Sequence, residues 1–146
     1  RKWFNNSTPK NILITDNSLE VKSEEIISIY KRSFYLLDFK NAADSIMDLA
    51  TASNLYLSDK SPWTLIKEQS KHEIVSGHIY NVLESIRIIG ILLAPYTPEL
   101  SNRILAQLNY TKLNEYSNWS SLLHWGLLTK GSELPLPNPV MSKIDA

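Results

Sequence analysis

The run His72-Glu73-Ile74-Val75-Ser76-Gly77-His78-Ile79-Tyr80-Asn81-Val82-Leu83-Glu84-Ser85-Ile86-Arg87-Ile88-Ile89-Gly90-Ile91-Leu92-Leu93-Ala94 decides the fold. Val75, Ile79, Val82, Leu83, Ile86, Ile89, Gly90 and Leu93 recur at the helical period. The reading is one amphipathic helix about 35 Å long, at ~1.5 Å per residue. Its second half is apolar on several sides, so it is expected at the centre of a bundle. Gly90 weakens a helix unless a neighbour needs the space, which predicts a close crossing there. Pro95 ends the helix, and Thr97-Pro98-Glu99 starts another with Leu100, Ile104, Leu105 and Leu108 inward.

Upstream, Ser23-Glu24-Glu25 opens a helix with acid in its first turn and Lys31 and Arg32 toward its end, and Ile27, Tyr30, Phe34 and Leu37 form its apolar face. Asp38 caps the next helix, to about Ser58, with Ala42, Ala43, Ile46, Leu49, Ala50 and Leu57 on the buried side. Ser61-Pro62 then reads as N-cap and first helical position of a short helix to about Glu68. That places Trp63 in a first turn, where an indole projects from the element's tip. Unpaired N–H groups and the positive dipole end beside it suit an anion. A stacked base followed by a phosphate would satisfy both.

The ends are less regular. Arg1-Lys2-Trp3-Phe4 reads as the tail of a helix cut partway along, and the chain as a C-terminal piece of a longer protein. Residues from Asn5 to about Leu19 read as loop. Trp119, Leu122, Leu123, Trp125 and Leu127 are expected to close an open end of the bundle. Beyond Gly131, prolines at 135, 137 and 139 forbid regular helix, so the tail is extended. The expected organisation is an all-α bundle of about five helices over residues 1–130 and an extended tail over 131–146.

Composition narrows the function. Lys plus Arg number 15 and Asp plus Glu number 15, so a strongly basic nucleic-acid binder is excluded, and any RNA contact must be local. There is no Cys, hence neither a disulfide framework nor a thiolate metal site, and a reducing compartment is compatible. The longest uncharged apolar run, residues 88–95, is far short of the ~20 residues that span a bilayer. His72, His78 and His124 lack metal-ligand spacing, and His72 and His78 read as solvated or capping residues. No nucleophile motif or glycine-rich phosphate loop is present.

Two segments resemble one family. Asn54, Tyr56, Asp59, Pro62, Trp63, Leu65 and Lys67 fall in register with the pattern Asn-x-Tyr, acidic residue, Pro-Trp-x-Leu-x-Lys of the anticodon-binding domain of methionyl-tRNA synthetases, which are class I aminoacyl-tRNA synthetases. Ser58, Ser61 and Ile66 depart from it. The run Leu83 to Pro98, with Gln107-Leu108-Asn109 further on, is similar to the same family in the expected order, and Leu134 to Asp145 resembles its closing Pro-rich peptide.

The resemblance implies a domain that holds the CAU anticodon loop of methionine tRNA, splays its bases and presents the acceptor end to a distant catalytic domain. Trp63 would stack on an anticodon base, with Pro62 setting the turn and Asn54 shaping the pocket. Read without the family, Asn54 is a buried amide bonding a backbone group at the helix end. Arg1, Lys2, Lys60 and Lys67 could meet tRNA phosphates, with Lys71 also near the turn. The family's base-reading Asn-x-x-x-Arg pair would lie before Arg1. Met141-Ser142-Lys143 only partly matches the family's ATP loop and stands at the wrong end of the domain. Catalysis and ATP binding are therefore expected outside this chain, with no cofactor or metal in it. The partners implied are the methionine tRNA anticodon loop and the enzyme's own catalytic domain, in the cytoplasm and without a membrane. The alternatives are the anticodon domain of another class I synthetase, or a helical protein-interaction module in which Trp63 would be buried.

Overall fold

The structure, a computed structural model, describes residues 2–111 and 119–141. Five α-helices follow one another among them: α1 (Ser18–Tyr35), α2 (Phe39–Lys60), the single turn α3 (Pro62–Leu65), α4 (His72–Leu93) and α5 (Pro98–Gln107). The all-α bundle expected from the sequence is the observed fold. α1 pairs with α2, α2 with α4, and α4 with α5, so α4 is the element around which the others pack. Apolar side chains of all four long helices meet there, among them Ile26, Ile46, Leu49, Ile88, Ile91, Leu92 and Leu105.

Gly90 marks the α4–α5 crossing as expected. A Cβ there would sit 2.9 Å from Leu105 Cδ2, and Ser101 Oγ donates to the Gly90 carbonyl at 2.6 Å. A second close approach was not legible. At Gly77 a Cβ would meet the Leu13 carbonyl oxygen at 2.2 Å, where the segment before α1 crosses α4.

The structure corrects several local expectations. α1 begins at Ser18, not Ser23, because Asp16 Oδ1 accepts from the Ser18 amide at 2.8 Å and starts the helix earlier. Ser23 is consequently buried inside α1. Leu37 leaves the apolar face altogether: it lies past the helix end at φ 59° and is 73% exposed. Asp38 does cap α2, accepting from the Asn41 amide at 3.1 Å, and α2 runs to Lys60. Residues 2–5 form a turn rather than the end of a helix, with Asn5 and Asn6 at positive φ.

The largest correction concerns α4. The stripe read from the sequence is mostly half-buried, and the deepest face carries Tyr80, Asn81, Glu84, Ser85, Arg87, Ile88 and Ile91. Glu84 and Arg87 are both 0% exposed. Arg87 Nε and Nη2 lie 2.8 and 2.7 Å from Glu84 Oε2, Nη1 donates to the Leu122 carbonyl at 2.5 Å, and Nη2 also donates to the His124 carbonyl at 2.6 Å. The remaining Glu84 oxygen accepts from the Leu128 amide. This pair therefore fastens residues 122–128, and with them the 3-10 turn Trp119–Leu123, onto the central helix. Leu122 and Leu123 are buried, closing the bundle end as expected.

The N-terminal strand-like residues and the start of the tail hold each other. Thr8 N donates to Ser132 O and Leu134 N to Asn6 O, both at 2.8 Å. Further along the tail, Asn138 N donates to Gln107 Oε1 at 3.1 Å.

Candidate nucleic-acid interface

Trp63 is presented by a tight reversal between α2 and α3. Ser61 sits at φ 41° and ψ 55°, the left-handed region, which ends α2 and turns the chain within one residue. Its amide donates to Leu57 O at 3.1 Å. Its hydroxyl donates to Ser58 O at 2.8 Å, so it fastens the end of α2 and does not cap α3 as expected. Pro62 is buried at the first helical position, where a missing N–H costs nothing. Below the turn, His72 Nε2 donates to the Ile66 carbonyl at 2.9 Å, and α3 packs on α4. His72 is thus the capping residue foreseen.

On this fixed turn the Trp63 indole is 50% exposed. The interaction-module alternative required it to be sealed. The anion site foreseen beside it shrinks, because the Thr64 and Leu65 amides already bond the Ser61 carbonyl at 2.9 and 3.3 Å. A one-turn helix also aligns few peptide dipoles. Stacking on the indole face is the contact this geometry favours.

The other expected residues divide. Asn54 is exposed on α2, not buried at its end, so its amide is open to a partner from solution. Lys67 and Lys2 are exposed. Lys60 is committed elsewhere: its Nζ lies 2.7 Å from Asp16 Oδ2 and 3.3 Å from Asp59 Oδ2, and over the Tyr56 ring. A phosphate would have to compete with two carboxylates for it. Arg1 lies outside the described residues. Among those residues no group of His, Cys, Asp and Glu could hold a metal ion, and no helix is long and apolar enough to cross a membrane.

Against this geometry the comparisons are decisive. A family model described as the anticodon binding domain of methionyl tRNA ligase matches residues 10–146. The chain belongs to that family. A methionine–tRNA ligase of Synechocystis sp. is 35% identical over 147 residues, covering 91% of this chain and 26% of the relative. One from Caldanaerobacter subterraneus is 31% identical over 151 residues, covering 99% and 22%. The chain thus spans about a quarter of the length of the curated relatives it matches. Mycobacterium tuberculosis methionyl-tRNA synthetase in complex with methionyl-adenylate shares the fold at a TM-score of 0.85 and 24% identity, over 97% of this chain and 28% of that one.

Beneath the exposed turn this methionyl-tRNA ligase anticodon-binding domain has a polar network that the sequence reading missed. Asn81 Nδ2 donates to the Tyr56 hydroxyl at 3.1 Å and to the Asp16 carbonyl at 2.9 Å. Tyr56 O–H in turn lies 2.8 Å from His78 Nδ1. The Tyr56 hydroxyl thus bridges Asn81 and His78, with the His78 tautomer deciding which of the two groups donates in the Tyr56–His78 bond. His78 is therefore neither solvated nor a cap: it is 5% exposed. The only available signal was its neighbour Tyr56 within the family pattern; the six-residue spacing from His72 said nothing. The network ties the C-terminal half of α2, α4 and the segment before α1 together.

Burial, then the nearby Lys60 charge, pushes the His78 pKa below its ordinary 6.5. The hydrogen bonds from Lys60 and Ser18 hold the Asp16 carboxyl well below its ordinary 3.8. Both folded-state values are depressed, so the folded chain binds fewer protons than the unfolded one and stability rises with pH. The His78 contribution is lost as pH falls below 6.5, and that of Asp16 only below 3.8. Thermal melts at constant ionic strength should show the midpoint falling between pH 7.5 and 5. His78→Gln should flatten that slope, and an unchanged slope would contradict the buried neutral ring.

Proposed function

We propose that this chain grips the CAU anticodon loop of methionine tRNA for a methionine–tRNA ligase, with the Trp63 indole stacked on one unpaired anticodon base. The single observation that carries this is the half-exposed indole on a turn held by Ser61, Pro62 and the His72–Ile66 bond. Loop bases are what proteins can read in RNA, because stem bases are hidden in a deep groove. A near-neutral chain cannot rely on long-range attraction, which agrees with recognition by placed stacking. Asn54 offers a hydrogen-bonding amide to a base edge. Exposed Lys67 and Lys2 meet the backbone, with Arg1 and Lys60 in supporting roles. Residues 131–146 act as a tail to the helical domain 1–130.

In this reading the catalytic domain of the longer enzyme binds ATP and methionine and charges the tRNA in the cytoplasm, while the present domain supplies anticodon grip and orientation. The test is Trp63→Ala in the intact ligase. Stacking contributes about 1–3 kcal/mol per base, so tRNA affinity should fall roughly 5- to 150-fold. The melting temperature should stay close to the parent's, because a half-exposed side chain contributes little to the core. Trp63→Phe should recover most of the loss. Unchanged affinity for methionine tRNA, or an equal loss for an anticodon-swapped tRNA, would remove the anticodon assignment.

A further inference from the structure

A second concave surface adjoins the recognition turn. A groove of about 330 Å³ runs between residues 3–11 and the first turn of α4, and its walls include Trp3, Asn5, Lys10, Asn11, His72 and Glu73. His72 belongs to both features, since its ring is hydrogen-bonded to the Ile66 carbonyl of the Trp63 turn while its side chain lines the groove. His72 therefore links the groove to the Trp63 turn.

The groove is built on fixed backbone. Leu13 N donates to Glu73 O at 2.9 Å, and Thr8 is pinned to the tail through Ser132 O and Thr129 O. The Lys10 stem runs beside Gly131, where an added Cβ would lie 3.4 Å from it. On this rigid floor stands an indole that is 37% exposed, accompanied by one flexible cation, two amides and one carboxylate.

That set has a definite chemistry. An exposed indole gives a flat face for a base, and a lysine beside it suits the phosphate that follows. The two Asn amides and the Glu73 carboxylate supply donors and acceptors for a base edge or a 2′-hydroxyl, and the carboxylate disfavours a bare inorganic anion. We propose that this groove is a second nucleotide site, in which Trp3 stacks on an unpaired base of the bound tRNA loop and Lys10 meets its phosphate. The proposal rests on the RNA-binding reading above.

The test separates the two. In the intact ligase, binding of methionine tRNA is measured by filter retention and the loop is footprinted nucleotide by nucleotide for the parent, Trp3→Ala, Trp3→Phe, Lys10→Ala and Trp63→Ala. Trp3→Ala should weaken binding roughly 5- to 150-fold, as expected for one lost stack, while Trp3→Phe stays near the parent. Its footprint should expose a different loop nucleotide from the one exposed by Trp63→Ala. Lys10→Ala should weaken binding more uniformly and reduce the salt dependence by about one ion; it also serves if Trp3→Ala does not fold. Parent-like affinity and footprint for Trp3→Ala and Lys10→Ala, with Trp63→Ala impaired, would overturn the groove proposal and leave the anticodon reading intact. Parent-like behaviour of all the variants would overturn both.

Discussion

Arg87→Met should cost the domain about 3–5 kcal/mol of folding stability, because it strands the Glu84 carboxylate in the core without its partner. Both side chains are 0% exposed, and the guanidinium also donates to the Leu122 and His124 carbonyls. Its loss should lower the urea midpoint of unfolding with little change in slope. Glu84→Met with Arg87→Met should recover part of the loss, since no bare charge remains. Recovery stays incomplete because the Leu128 amide and the Leu122 carbonyl have lost their partners, and an unmet buried polar group costs about 1–3 kcal/mol. The segment after α5 is held to α4 through those groups, so protease sensitivity of residues 119–130 should rise in both variants. A single variant as stable as the parent would mean that this pair does not anchor the segment.

The same pair explains which part of the fold the sequence showed and which it hid. The helical period, the Asp38 cap, the Pro98 start and the Gly90 crossing are local features, and each is found where the residues place it. The phase of α4 is not local. Glu84 and Arg87, three residues apart, lie outside the apolar stripe, and their burial is made tolerable by their own pairing and by the carbonyls arriving from residues 122 and 124. Asn81 and His78 were hidden for the same reason, since their partner Tyr56 comes from another helix. Ser23 misled because the start of α1 is set by Asp16, a residue whose carboxylate bonds both the Ser18 amide and Lys60.

The candidate site divides along the same line. Trp63 and Pro62 were legible because a Pro-Trp pair after a helix end fixes its own presentation. The state of Lys60 was not, because nothing near position 60 indicates that Asp16 will fold back against it. Asn54 is exposed rather than buried at the helix end, and its neighbours in the helical repeat, Ala50 and Leu57, are themselves only half-buried.

Gly77→Ala should destabilise the domain by about 1–3 kcal/mol, toward the upper end of that range. Helix propensity alone argues the reverse, since Ala is better than Gly by about 1 kcal/mol inside a helix. Steric contact decides the sign. The new Cβ would lie 2.2 Å from the Leu13 carbonyl oxygen and 2.9 Å from its carbon, and both are backbone atoms of a crossing segment. That segment cannot swing a side chain aside; it must lift from α4. Lifting it strains the Leu13–Glu73 hydrogen bond and pulls on Asp16, which joins Ser18, Lys60 and Asn81. Gly90→Ala is the informative comparison. Its Cβ would meet the end of the Leu105 side chain at 2.9 Å, a group that can shift, so propensity and crowding nearly cancel. Paired urea titrations should therefore place Gly90→Ala close to the parent and Gly77→Ala well below it. Because Lys10 and Asn11, just before that segment, line the Trp3 groove, tRNA affinity of the Gly77 variant should fall at temperatures where it is still folded, whereas the Gly90 variant should bind as the parent does. Equal stability of the two variants would mean that the segment before α1 rests on α4 loosely enough to yield, and the rigid floor inferred for that groove would go with it.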